Sequence, residues 1–114
     1  MTPVMPIVGE IDLNSADILR DRLNQAGRQY EGRVVVLDLT NMTFIDSTGL
    51  GVLVGALRRF RASGGDLRLA GCRAGIARVL TIAGLDRIFE SAATVQDACD
   101  QAEAEAEPAQ ARRG

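Results

Sequence analysis

Residues Val34 to Phe60 read VVVLDLTNMTFIDSTGLGVLVGALRRF, and the spacing of their apolar side chains changes once along the way. Val34 to Leu39 is a nearly continuous apolar and β-branched run, the pattern of a strand buried on both faces of a sheet. From Leu50 onward the period is helical. Leu50, Leu53, Leu57 and Phe60 or Arg61 recur turn by turn with Val54 beside them, so one stripe faces a core. The change of period sits at Asp46-Ser47-Thr48-Gly49. Asp, Ser and Thr are N-cap and first-turn residues, whose oxygens accept hydrogen bonds from the amides that a helix start leaves unpaired. A hydroxyl is thereby set at the positive end of a helix dipole.

That hydroxyl has two readings. In the first, Asp46 or Ser47 is a plain cap that contributes about 1 kcal/mol. In the second, Ser47 is an exposed acceptor whose phosphorylation adds about −1.5 to −2 charges at a helix N-terminus, where an anion is tolerated. The two are compatible, because the helix survives the modification while a docking partner meets a new dianion.

Phe44 to Leu53 (FIDSTGLGVL), preceded by Val35 to Leu39 (VVLDL), resembles the bacterial anti-sigma factor antagonists, single STAS domains. Gly9-Glu10-Ile11-Asp12 is similar to a second family motif, and Gly64 to Leu69 followed by Leu85 to Phe89 is similar to the family's later part. The resemblance covers about Val8 to Ala98. It implies a STAS-like α/β fold, a mostly parallel sheet of four to five strands with an N-terminal edge strand, packed against about four helices. It also implies a cytoplasmic partner switch in stress-responsive transcription. The dephosphorylated protein binds an anti-sigma factor that is also a serine kinase, and so releases a sigma factor. The kinase phosphorylates Ser47, with Thr48 as the alternative acceptor, and a serine phosphatase reverses the modification. The turn carrying Glu10 and Asp12 is implied to lie beside the acceptor helix, on the surface that meets the kinase. The expected partner-contact set is then Glu10, Asp12, Asp46, Ser47, Thr48, Gly49, Gly51, Val52, Gly55 and Arg59.

Composition sets the bounds. A chain of 114 residues suits one domain, since domains typically hold ~100–150 residues. The expected organisation is a STAS domain over 1–102 and an Ala/Glu-rich tail over 103–114, disordered at least beyond Pro108. A formal charge of −2, with no basic stripe and few aromatic rings, argues against a nucleic-acid binder. No apolar run approaches the ~20 residues of a membrane span, and Met1 to Pro6 is not a signal peptide. Two cysteines without C-x-x-C spacing and no histidine remove most zinc and haem sites, the His-based triads and any imidazole base. Cys72 and Cys99 read as small, buried or half-buried apolar residues. No cofactor and no metal is expected.

Val4 to Val8 reads as a short strand weakened by Pro3 and Pro6, at or near a sheet edge. Eight residues precede Gly9, fewer than the family usually has, so the sheet is one strand short or a neighbouring chain supplies the edge. A monomer or weak dimer is expected. Gly9 to Asp12 reads as a turn, and Asn14 or Ser15 caps a helix to about Gln29 with Ala16, Leu19, Leu23 and Ala26 inward. Glu10 and Asp12 form an acid pair, or a solvated turn beside a helix dipole, or the partner contact that the resemblance implies. Thr40 to Ile45 reads as a loop, and Gly64-Gly65 stops the central helix. Thr48, Gly51, Val52, Gly55 and Arg59 lie opposite its apolar stripe. Gly51 and Gly55 either let the helix approach its own sheet or leave room for another backbone, and an outward Val52 suits a docking face. Asp66 to Ala70 is a strand, Ile76, Val79, Leu80 and Ala83 line a helix closed by Gly84, Arg87 to Phe89 is a brief strand, and Thr94 caps a last helix. Alternating strands and helices give α/β, with any antiparallel strand at the N-terminal edge.

As an enzyme the chain lacks parts. It has no P-loop sequence and no lysine to serve one, and Ser47 has neither the flanking glycines of a nucleophile elbow nor a histidine to deprotonate it. The catalyst that modifies Ser47 must sit in another protein, which holds base, magnesium and ATP. Two other classes remain open: a STAS scaffold or transporter-associated module that does not switch, and a small α/β enzyme or nucleotide binder.

Overall fold

The computed structural model describes residues 1–106. The apolar run at Val34–Asp38 (β3) lies between Val4–Pro6 (β1) and Asp66–Ala70 (β5), and Ser91–Ala92 (β6) follows, in the order β1-β3-β5-β6. β3 is central, as its sequence predicts, with Val35, Val36 and Leu37 fully covered. Gly9–Ile11 (β2) and Met42–Ile45 (β4) make a second, two-stranded sheet. The two sheets are one bent pair of ribbons. Past β1 the chain keeps beside its neighbour, with Ile7 N–H donating to the Asp38 carbonyl at 3.0 Å and Gly9 N–H to Asn41 at 2.9 Å. The bend falls at Thr40, whose amide and hydroxyl donate to the Asp38 carboxylate at 3.0 and 2.6 Å.

Four helices pack on the sheet: Ala16–Gln29 (α1), Ser47–Ala62 (α2), Ala74–Ile82 (α3) and Val95–Ala106 (α4). Side chains alternate across a strand. Val35, Leu37, Leu67 and Leu69 point to the face covered by α1, α2 and α3, where the main core lies. Val36 and Ala70 point to the opposite face, under Ala98 of α4. α1 and α2 run side by side in the same direction. Asp46 N–H, at the head of α2, donates to the Ile11 carbonyl at 3.0 Å, and near the other end a β-carbon on Gly27 would stand 3.4 Å from the Phe60 ring. Gly64 follows α2 at φ +88, a left-handed stop that only glycine adopts without strain.

Several expectations need correcting. Gly9–Ile11 is a strand and not a turn, and Met42–Ile45 is a strand inside the expected loop. Both are too short for an alternation to stand out, and each exists because the other pairs with it. Every strand pairing is parallel, including that of the N-terminal edge strand. Leu85–Arg87 is a 3-10 turn, and the last strand comes later, at Ser91–Ala92. Ala83 is exposed. The last helix reaches Ala106, past the 102 boundary, and Glu105 on it pairs with Arg68 of β5. The expected disorder beyond Pro108 falls outside the described residues.

Candidate functional site

α2 starts where β4 ends, and its head is held by backbone and side-chain bonds together. Asp46 is extended, at φ −102 and ψ −176, and its carboxylate accepts the Gly49 amide at 3.0 Å. Its carbonyl accepts the Leu50 amide at 2.9 Å. Of the two capping assignments, Asp46 is therefore the cap. Ser47, first in the helix, is left free for other work: it is exposed, and no hydrogen bond to its hydroxyl is present among the described residues. Thr48 is half-buried.

The turn after β2 lies next to this head, since Ile11 is bonded to Asp46 and level with Ile45 in the ladder. Asp12 uses its carboxylate locally, accepting the amides of Asn14 at 3.0 Å and Ser15 at 3.2 Å. The Ser15 hydroxyl accepts the Asp12 amide at 2.9 Å and donates to the Glu10 carbonyl at 3.0 Å. A carboxylate so engaged is an α1 fastener, not half of an acid–base pair. Glu10 stands level with Phe44, and both are exposed. The N-termini of α1 and α2 thus meet beside three carboxylates, Glu10, Asp12 and Asp46. Because both helix ends carry partial positive charge, a phosphate on Ser47 would find opposing local fields.

The glycines and Val52 divide differently from the sequence expectation. Val52 is 5% exposed and belongs to the main core, so it is not an outward docking residue. Gly49 is buried as well: a β-carbon there would lie 2.7 Å from Ile11 Cγ2 and 2.8 Å from Ile45 Cγ1. It lets α2 close onto its own strands and has no surface for a partner. The inward stripe is Gly49, Val52, Leu53, Ala56, Leu57 and Phe60, with Leu50 and Val54 half-covered on its flank. Leu53, Leu57 and Phe60 of the expected stripe are buried, Leu50 is only half-covered, and Val52, expected outside, lies within the stripe. Gly51 and Gly55 do stay outside. A β-carbon on Gly51 would meet nothing within 4 Å, and one on Gly55 would meet only the Arg59 guanidinium at 3.4 Å. Arg59 is exposed but lies about 18 Å along the helix from Ser47, at ~1.5 Å per residue. It lines a cleft with Leu23 and Phe60, away from the head of α2.

Two exposed apolar side chains near Ser47 escaped the sequence reading. Leu13, in the turn after Asp12, is 73% exposed, and Phe44, on β4, is 49% exposed. Leu13 carried a faint signal, an aliphatic residue inside a polar turn. Phe44 carried none, because Met42 and Ile45 around it are core residues. Among the described residues no group of three or more His, Cys, Asp or Glu side chains could hold a metal ion. No helix among them is long and apolar enough to cross a membrane.

Comparison with known proteins adds four findings. The family model for the STAS domain matches residues 2–98. An anti-sigma-B factor antagonist of Bacillus subtilis (strain 168) is 37% identical over 87 residues, 76% of this chain and 78% of that protein. Its counterpart in Listeria monocytogenes is 38% identical over 84 residues, 74% of this chain and 73% of the relative. Among solved structures, the crystal structure of an anti-sigma factor antagonist from Mycobacterium paratuberculosis superposes with a TM-score of 0.78. It is 25% identical, and the match covers 88% of this chain and 84% of that one.

Proposed function

The chain belongs to the STAS domain family, and from that premise we propose that it is an anti-sigma factor antagonist switched by phosphorylation at Ser47. The dephosphorylated form binds an anti-sigma factor serine kinase and frees a sigma factor. The kinase modifies Ser47, and a phosphatase restores it. The observation that carries this reading is the free hydroxyl: Asp46 does the capping, so Ser47 is exposed and uncommitted at the head of a rigidly seated helix. The docking surface is Ser47 with Thr48, Gly51 and Gly55 on α2, Glu10 and Asp12 on the neighbouring turn, and Leu13 and Phe44 as its apolar part. No reacting group is needed in this chain, because the kinase brings the base, the metal and the nucleotide.

The switch is local electrostatics and packing. A phosphate brings a dianion and three oxygens into an interface that must shed water, next to Glu10, Asp12 and Asp46. A shift of ~3–4 kcal/mol lowers affinity by two to three orders of magnitude. Calorimetry with the cognate kinase tests this. Ser47→Ala should bind like wild type and resist switching, and Ser47→Asp should bind at least tenfold more weakly. Equal affinities for wild type and Ser47→Asp would reject the switch and favour a STAS scaffold that does not switch. Site mapping by mass spectrometry after incubation with kinase and ATP should find phosphate on Ser47, and modification at Thr48 alone would reject the assignment.

A further inference from the structure

The main sheet has two free edges, and the chain treats them differently. At β1 the Pro3 carbonyl faces inward and accepts Val36 N–H at 3.0 Å, so alternation turns Val4 and Pro6 outward. Pro6 has no amide to offer, and its carbonyl is occupied by the Arg22 guanidinium at 3.0 Å. Of the outward groups on that edge, Pro6 is spent, which leaves the Val4 N–H and C=O bounded by a proline. β6 has no such protection. Leu69 N–H donates to the Glu90 carbonyl at 3.0 Å and Gly71 N–H to Ala92 at 3.3 Å, which turns the N–H and C=O of Ser91 away from the sheet. Neither finds a hydrogen-bond partner among the described residues.

Beside this open edge lies a trough of ≈ 300 Å³ between β6 and α3. Its floor is apolar, formed by Leu69, Leu80, Leu85 and Phe89, all buried, together with the half-buried Cys72. Ser91 is level with Leu69 in the ladder, so the Ser91 position faces the trough. A residue added level with Ser91 on an outer strand would point the same way, into the trough. The volume sits at the low end for small-ligand pockets and suits a side chain or two. An extended peptide meets both features at once, satisfying the Ser91 backbone and filling the trough. Asp86 lines the rim and Glu90 adjoins Ser91, with no ion pair to either among the described residues. Asp86 is the charged side chain among the residues that line the trough.

We propose that the β6 edge receives an extended segment of a partner protein as an added strand. One bulky aliphatic or aromatic side chain of that segment fills the trough, and a nearby Lys or Arg faces Asp86 at its rim. Strand addition of this kind draws affinity from main-chain bonds and selectivity from the side-chain pocket. The site uses none of the Ser47 surface.

The test is selection of random heptapeptides on phage against the full chain, with each enriched peptide mapped by amide chemical shifts of the ¹⁵N-labelled protein. Enriched sequences should share one bulky apolar residue in an alternating frame with a basic neighbour, and should shift the Ser91 and Ala93 amides more than those of Ser47 and Thr48. Ser91→Pro, which removes the outward amide without touching the β5 ladder, and Thr81→Trp, which fills the trough from an exposed position on α3, should each lower affinity at least tenfold in a folded protein. No enrichment would overturn the proposal. So would enriched peptides that map to Ser47, or ligands that shift Leu80 and Phe89 while leaving Ser91 and Ala93 unmoved, the signature of a small-molecule cavity.

Discussion

α2 and α4 cover opposite faces of one sheet, and they are held by different physics. α2 buries Val52, Leu53, Leu57 and Phe60, large side chains in the main core, and Gly49 lets its first turn close on Ile11 and Ile45. The side chains that α4 buries fully are small, Ala98, which packs with Val36 and Ala70, and Ala102. Val95 and Cys99 pack half-buried beside them, the Thr94 hydroxyl accepts the Asp97 amide at 3.0 Å, and an Arg68–Glu105 ion pair has its Glu105 end largely exposed. Burial of apolar area scales with side-chain size, so α2 is anchored and α4 is lightly held. The anchored helix is the one that presents Ser47. The switch proposed for Ser47 would need its hydroxyl in a fixed place, and the packing under α2 holds the head of the helix there.

The contrast can be broken first at Gly49. Gly49→Val puts a branched side chain where even one methyl would stand under 3 Å from two isoleucines, and should cost at least ~3 kcal/mol in denaturant unfolding, or abolish folding. Wild-type stability in that variant would refute the close seating of α2. Val52→Ala comes next, with an expected loss of roughly 1–3 kcal/mol and an unchanged affinity for the kinase after correction for unfolded protein. A docking role for Val52 would show the reverse pattern. Gly51→Ala should sharpen the comparison from the outer face, raising stability by about 0.5–1 kcal/mol through helix propensity while weakening kinase binding by crowding the surface.

On α4, Ala102→Gly should cost about 1 kcal/mol of local helix stability, read as faster amide exchange over α4 with exchange in α2 unchanged. The smallest effect is in pH. Burial is the main cause pushing the Cys72 and Cys99 thiols up, with Glu103 and Asp100 adding to it at Cys99. A folded-state value above the unfolded one means that the neutral thiols' contribution is complete below the ordinary thiol range. It is lost as pH rises through that range, about 8.5. The unfolding midpoint should therefore fall on the alkaline side, and replacing both cysteines with alanine should flatten the fall.

Much of this molecule was legible from short patterns. Asp46-Ser47-Thr48-Gly49 after an apolar strand announces a capped helix, Ala16, Leu19, Leu23 and Ala26 mark the inner face of α1, and Gly64 ends α2, because caps and periodicity are local properties of a few residues. Strands β2 and β4 were not legible. Three or four residues carry too little pattern, and their extended form depends on each other across some thirty positions of chain. The proposed docking surface was legible only in its polar part. Polar candidates stood out as Ser47, Asp12 and Glu10, but Val52 is buried while Leu13 and Phe44 are exposed, since exposure of an apolar residue is a fact about its neighbours in space.

By itself the sequence determined the family, the place where strand turns to helix, and the presence there of a hydroxyl with an acidic cap ahead of it. Only the tertiary structure decided that Gly49 and Val52 fall on the inner side of α2. Leu53, Leu57 and Phe60 were legible as its inner side, but with Leu50, Val52 and Val54 also apolar the margins of that side were not. Its phase was selected by the one orientation in which Gly49 fits under Ile11 and Ile45, a fit between residues that are distant in the chain. That same rotation buries Val52 and leaves Ser47 in the open.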